Sequence, residues 1–172
     1  MTNKHIYLAG GCFWGTEHFF KQIAGVVETE VGFANGQTDN PTYEQVYTDT
    51  TGYAETVHVT YDPDKVCLEF LLHMFFVAID PTSLNKQGHD EGTRYRTGIY
   101  YTNEADVPTI EKVYAEEQSK YAQPLAVEKL PFTAFRYASG VLVFYVHGHM
   151  FSFFDCDNFS VITLKCQPEP DR

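Results

Sequence analysis

Cys12 lies in the run Gly10-Gly11-Cys12-Phe13-Trp14-Gly15-Thr16-Glu17, a setting in which a thiol can serve as a nucleophile. Upstream, His5-Ile6-Tyr7-Leu8-Ala9 reads as a short buried strand, and downstream Phe19, Phe20 and Ile23 recur at helical spacing. The cysteine is therefore expected near a helix N-terminus, where unpaired N–H groups and the helix dipole favour thiolate over thiol. The flanking glycines permit a sharp turn with close backbone approach. Phe13 and Trp14, the latter the only tryptophan, place apolar surface directly beside the sulfur. The plain alternative is a buried cysteine packed among core aromatics.

Thiol chemistry on such a surface needs a proton donor, and four residues in loops or at strand starts qualify. Glu55 opens an alternating strand after a glycine, Tyr43 follows Pro41 in a loop, and Asp90 and Tyr95 close a long polar stretch. Each also has a structural reading: an exposed edge carboxylate for Glu55, a turn former for Asp90, and packed or hydrogen-bonded phenols for the tyrosines. Glu17, one turn into the first helix, complements the dipole.

The elements that must position these groups are legible from periodicity. Val26 to Phe33 and Ala54 to Tyr61 alternate as strands, with an Asn35-Gly36 turn after the first and one helical turn over Glu44 to Tyr47 between them. Asp62-Pro63-Asp64 is expected to cap a buried helix over Lys65 to Val77, leaving Cys67 in the core. Residues 80–94 are polar and aperiodic, and a loop of that length inside a small domain is usually functional. Arg96 to Tyr101 reads as a strand, Ile110, Val113, Tyr114, Glu117 and Tyr121 mark a helix opening near Asn103, and Leu125 to Leu130 a further strand. This order implies an α/β (α+β) fold, a mixed sheet with packed helices in a single compact catalytic domain.

At 172 residues the chain suits one such domain, and its net charge of −11 argues against nucleic-acid or anionic-membrane partners. The N-terminus carries neither signal-like nor transit-like character, and no apolar run spans a bilayer, so a cytoplasmic location is expected. Four cysteines without a CxxC pair suggest chemistry rather than scaffolding in a reducing compartment.

Gly11-Cys12-Phe13-Trp14-Gly15-Thr16-Glu17 closely resembles the GCFWGxE signature of the A-type peptide methionine sulfoxide reductases. Gly32-Phe33-Ala34-Asn35-Gly36, Pro41-Thr42-Tyr43, Gly52-Tyr53-Ala54-Glu55, Asp80 to Asn85, Gln87-Gly88-His89-Asp90 and Gly92 to Arg96 resemble further family segments in family order. The resemblance implies reduction of the S epimer of methionine sulfoxide, free or in proteins, a repair of oxidative damage. It assigns attack on the sulfoxide sulfur to Cys12, grip on the substrate methyl to Phe13 and Trp14, and proton supply to Glu55. It further implies that Tyr43 and Tyr95 hydrogen-bond the sulfoxide oxygen and that Asp90 orients the site. A sulfenic acid on Cys12, reduction by an external thiol such as thioredoxin, no bound cofactor or metal, and a monomer complete the implication.

The resemblance stops near Leu130. One domain over 1–130 and an atypical tail over 131–172 are the expected organisation. The family's Tyr-Pro-Ala-Glu, Tyr-His-Gln and Gly-Tyr-Cys patterns are absent, and Tyr53 stands where many members have histidine. Cys156 and Cys166 are the candidates to resolve the sulfenic acid, unless both are incidental. Two other readings stay open: a zinc site from His147, His149, Cys156 and Cys166, whose spacing matches no common finger, and a noncatalytic domain that binds oxidised methionine.

Overall fold

In a computed structural model the structure describes residues 2–38, 41–138, 142–146, 149–153 and 161–162. The first compact unit, Met1–Tyr137, runs β1 (Lys4–Gly10), α1 (Phe13–Phe20), β2 (Val26–Ala34), α2 (Tyr43–Tyr47), β3 (Ala54–Tyr61) and α3 (Leu68–Ala78). It continues through β4 (Lys86–Gln87), β5 (Asp90–Glu91), a 3-10 turn over Thr93–Tyr95, β6 (Thr97–Tyr101), α4 (Val107–Gln118), β7 (Glu128–Pro131) and β8 (Phe135–Tyr137). The second unit, Ala138–Arg172, holds an antiparallel set of β9 (Leu142–Val146), β10 (His149–Phe153) and β11 (Val161–Ile162).

Six strands of the first unit form one sheet in the order β7-β6-β1-β3-β2-β8. Its pairings are antiparallel except β6 with β7, which run parallel and are joined through α4, so the sheet is mixed as the element order implied. Strand β3 lies at the centre and every one of its residues is buried, which explains why alternation there is one of chemistry, not of exposure. On one face Ile6 pairs with Val59 and Leu8 with Val57, continued by Ile99, and all five are fully buried. On the other, Ala9, Ala34, Ala54 and Tyr100 pack together with Tyr7, Phe132 and Phe135 against them.

Two local expectations fail for identifiable reasons. The Asp62 carboxylate accepts from the Asp64 N–H at 3.0 Å, so it caps a separate turn and α3 begins only at Leu68. Cys67 consequently sits at the N-cap of α3 and is exposed, not in the core. By contrast α2 begins with a full capping box, in which Thr42 and Gln45 satisfy each other's backbone N–H groups. Past residue 130, β8 pairs with β2 through Gly32 opposite Tyr137 and Ala34 opposite Phe135, and so belongs to the main sheet.

Candidate active site

Strand β1 delivers the chain to the edge of the helical layer and turns it abruptly. Gly11 adopts φ +79, and a Cβ there would lie 2.6 Å from the Gln87 Cβ, so this position requires glycine on both counts. The Gln87 side chain is fixed in turn by Asp80, whose N–H donates to Oε1 at 2.8 Å and whose carbonyl accepts from Nε2 at 2.7 Å. The long polar loop is thereby anchored over the turn that presents Cys12.

Cys12 is the N-cap of α1 with no side-chain cap hydrogen bond of its own, and the three N–H groups that follow it have no partner within the helix. The Phe13 N–H donates to Glu55 Oε2 at 3.1 Å, those of Trp14 and Gly15 lie near enough to the Cys12 sulfur to favour its anion, and that of Thr16 makes the first bond within the helix, to the Cys12 carbonyl at 3.3 Å. Thr16 Oγ1 also donates to the Gly10 carbonyl at 3.1 Å, bracing the turn.

Glu55 is 2% exposed, on the buried central strand, not at an edge. Burial pushes its carboxyl up to about 8, outweighing the Phe13 N–H and Tyr47 hydrogen bonds and the Arg94 cation, all of which favour the anion; the neighbouring Asp90 adds to the rise. At neutral pH it is therefore predominantly a carboxylic acid. The same surroundings reverse the expectation of a thiolate at Cys12. Two helix N–H groups do favour the anion, but burial first and the adjacent Glu55 second push the thiol up to about 12. The dipole of an eight-residue helix does not overcome desolvation plus a carboxyl partner. Resting Cys12 is a partly exposed thiol beside a neutral acid.

The apolar floor comes from two elements. Phe13 and Trp14 meet edge to face at 4.9 Å, and Phe33 of β2 lies 5.6 Å from Phe13. Phe33 pairs directly with Glu55 across the sheet, so acid and floor share one face. This neighbour was hidden in the sequence, because register alone brings residues 33 and 55 together.

Asp90, in β5, and the buried Tyr95 arrive from the long loop. Both are raised by burial first, and Asp90 acts on Cys12 and Glu55, as Glu55 acts on Tyr95. The structure thus brings together Cys12, Glu55, Asp90 and Tyr95. Tyr43 opens α2, but its side chain lies outside the described residues. Cys156, Cys166 and His147 also lie outside them, as does the side chain of His149, and no cluster suited to a metal ion occurs among the described residues. No helix among them is long and apolar enough to cross a membrane. Tyr47 and Arg94 were given no role from the sequence: Tyr47 lies in none of the family-like segments, Arg94 lies within Gly92 to Arg96 without a chemistry of its own there, and the two meet only by folding.

The family model for peptide methionine sulfoxide reductase matches residues 4–152, past the point at which the motifs end. A peptide methionine sulfoxide reductase MsrA of Clostridium acetobutylicum is 52% identical over 132 residues, 77% of this chain and 82% of the relative. One from Lachnoclostridium phytofermentans is 54% identical over 126 residues, 73% of this chain and 76% of the relative. Among solved structures, reduced Mxr1 from Saccharomyces cerevisiae superposes with a TM-score of 0.75 at 37% identity, over 79% of this chain and 80% of that one. Methionine sulfoxide reductase A of Corynebacterium diphtheriae gives 0.72 at 35% identity, over 78% and 69%. Mxr1 in complex with Trx2 gives 0.60 at 26%, over 90% and 91%. In sequence and in fold, the chain belongs to the peptide methionine sulfoxide reductase family.

Proposed function

We propose that this chain reduces methionine S-sulfoxide, free or in proteins, to methionine, with Cys12 as nucleophile and Glu55 as proton donor. The observation that carries the reading is the hydrogen bond from the first peptide N–H of α1, one residue from the thiol, to a fully buried Glu55 whose carboxyl burial pushes up to about 8. A sulfoxide sulfur is a poor electrophile until its oxygen is protonated, so the site needs an acid that is neutral at working pH. Phe13 and Trp14 receive the substrate methyl group, and Tyr43 and Tyr95 hydrogen-bond the oxygen while Asp90 orients the site.

As Cys12 Sγ bonds to the sulfoxide sulfur, Glu55 protonates the oxygen and the thiol proton returns to the Glu55 carboxylate. Transfer of the hydroxyl to Sγ then releases methionine and leaves Cys12 as a sulfenic acid. The sulfoxide is reduced by two electrons and the thiol oxidised by two, with no net proton change. Cys156 or Cys166 condenses with the sulfenic acid, releasing water, and thioredoxin or another dithiol reduces the disulfide. The yeast relative was solved with Trx2, which supports that choice of reductant. We assign the catalytic role to the domain containing residues 1–130, acting as a monomer without cofactor, and place it in the cytoplasm.

The test is epimer-resolved reduction of a methyl sulfoxide with dithiothreitol, comparing wild type with Cys12→Ser. Turnover of the S epimer alone, lost in the variant, is expected. Equal turnover of both epimers would overturn the stereochemistry, and turnover by folded C12S would overturn the nucleophile.

A further inference from the structure

Besides Phe13, the Glu55 carboxyl has neighbours that the roles above leave unused. Tyr47 closes α2, with its hydroxyl in hydrogen-bonding reach of both Glu55 and Tyr95. The Arg94 guanidinium lies 4.6 Å from the Tyr47 ring and 4.6 Å from the Tyr95 ring, flanked by the two. Its Nη1 donates to the Tyr47 carbonyl at 3.3 Å and to Asp49 Oδ2 at 2.6 Å.

Asp49 is held for this purpose. It takes φ 58 just after α2, an uncommon conformation for a non-glycine residue, and its Oδ1 accepts from the Arg94 N–H and Thr93 Oγ1, each at 3.0 Å. A Cβ on Gly92 would come within 2.7 Å of Asp49 Oδ2, so the close approach depends on glycine there as well. Arg94 Nε has no acceptor among the described residues, and the guanidinium is held by Asp49 and by the two rings it lies over.

We propose that Tyr47 is a positioning residue for the acid: its hydroxyl, fixed by the Asp49-clamped Arg94, supports the Glu55 carboxylate during the interval between proton transfer to substrate and reprotonation. The inference rests on Glu55 being the proton donor. An acid buried among apolar rings holds its proton too tightly to give it up readily, and a donor aimed at the anion makes it a stronger acid. Arg94, stacked on the Tyr47 ring, adds a nearby cation that also favours the anion. The titratable and charged groups facing Glu55 among the described residues are Cys12 from the α1 turn, Tyr47 from α2, Asp90 from β5, and Arg94 and Tyr95 from the 3-10 turn. Asp90 opposes the anion, so Tyr47 and Arg94 also offset its charge.

The experiment is the pH dependence of kcat between pH 6 and 10 for wild type, Tyr47→Phe, Arg94→Met and Glu55→Gln. The phenylalanine keeps the ring under Arg94 and removes only the hydroxyl. Tyr47→Phe is expected to lower the plateau near neutral pH and move the alkaline limb upward by about one unit, so that the variant overtakes wild type at the alkaline end. Arg94→Met is expected to shift the limb the same way. A looser site would lower the rate at every pH without moving the limb, and that outcome, in both variants, overturns the inference.

The Glu55 carbonyl infrared band, identified by its loss in Glu55→Gln, gives the titration directly and serves where a variant is too weak for kinetics. If Glu55→Gln keeps wild-type rate and limb, the proton-donor reading itself is wrong. If Glu55→Gln is inactive while the Tyr47→Phe profile coincides with wild type, only the role of Tyr47 is wrong.

Discussion

The Phe13 backbone N and the Glu55 carboxyl oxygen Oε2 lie 3.1 Å apart, joining the first helical peptide after Cys12 to the central strand of the sheet. The contact satisfies an orphan N–H of the helix and fixes the acid beside the thiol in one interaction. It also means that the acid and the helix cannot move independently.

Glu55 weakens the fold as pH rises. Its folded pKa lies at about 8, above the ordinary 4.5, so its contribution to stability is fully present below pH 4.5 and is lost as pH climbs through 8. Glu55→Gln is expected to be more stable than wild type at pH 9, by up to roughly 5 kcal/mol, with the advantage shrinking toward pH 5. Urea denaturation at the two pH values measures this. Activity of the same variant is expected to fall about 10²–10⁴-fold. Equal pH dependence of stability in both proteins would show that Glu55 is not a buried neutral acid.

Removing the thiol proton is not a separate prior event at this site. With Cys12 pushed up to about 12 by burial and by Glu55, alkylation of the free enzyme by iodoacetamide is expected to be slow at pH 7. The rate should keep rising beyond pH 9 instead of reaching a plateau. Rapid, pH-independent labelling would indicate a thiolate and would contradict the balance of forces at the N-cap.

Gly11→Ala tests the anchoring of the loop over the turn. The added Cβ would meet Gln87 at 2.6 Å in a backbone conformation that L residues avoid. A loss of about 1–3 kcal/mol is expected in thermal or chemical unfolding, with activity reduced beyond the change in folded fraction. An unaltered variant would show that the Gln87 contact does not hold the turn.

Thiol counting separates the two fates of the sulfenic acid. After one turnover without reductant, wild type is expected to lose two free thiols and form a disulfide from Cys12 to Cys156 or Cys166, whereas the double variant Cys156→Ser/Cys166→Ser loses one. Cys67, exposed at the start of α3, supplies the control, since Cys67→Ser should behave as wild type. A loss of one thiol in wild type would mean that neither tail cysteine resolves Cys12.

Much of the architecture was written in local patterns. The alternation of Ala54 to Tyr61 matches β3 residue for residue, the helical turn expected over Glu44 to Tyr47 is α2, and the Asn103 side chain accepts from the Ala105 N–H at the start of a 3-10 turn over Glu104–Asp106 that leads into α4. Such features need only near neighbours along the chain. Asp62 misled because its carboxylate serves a turn or a helix with the same local hydrogen bond, and the choice fell to where the apolar face of α3 docks.

The sequence by itself singled out Cys12 as the candidate nucleophile, with the glycine turn and the aromatic pair, because these are contiguous and their chemistry follows from residue type and a helix start. It also marked Glu55, through its place in a family-like segment. Only tertiary structure decided protonation: that Glu55 lies on the central strand and Cys12 against it, so that burial turns one into a neutral acid and keeps the other a thiol. Proton affinity depends on which groups share a low-dielectric space. That sharing, like the meeting of Tyr47, Asp49 and Arg94, is set by contacts between residues 42 and 45 positions apart in the chain.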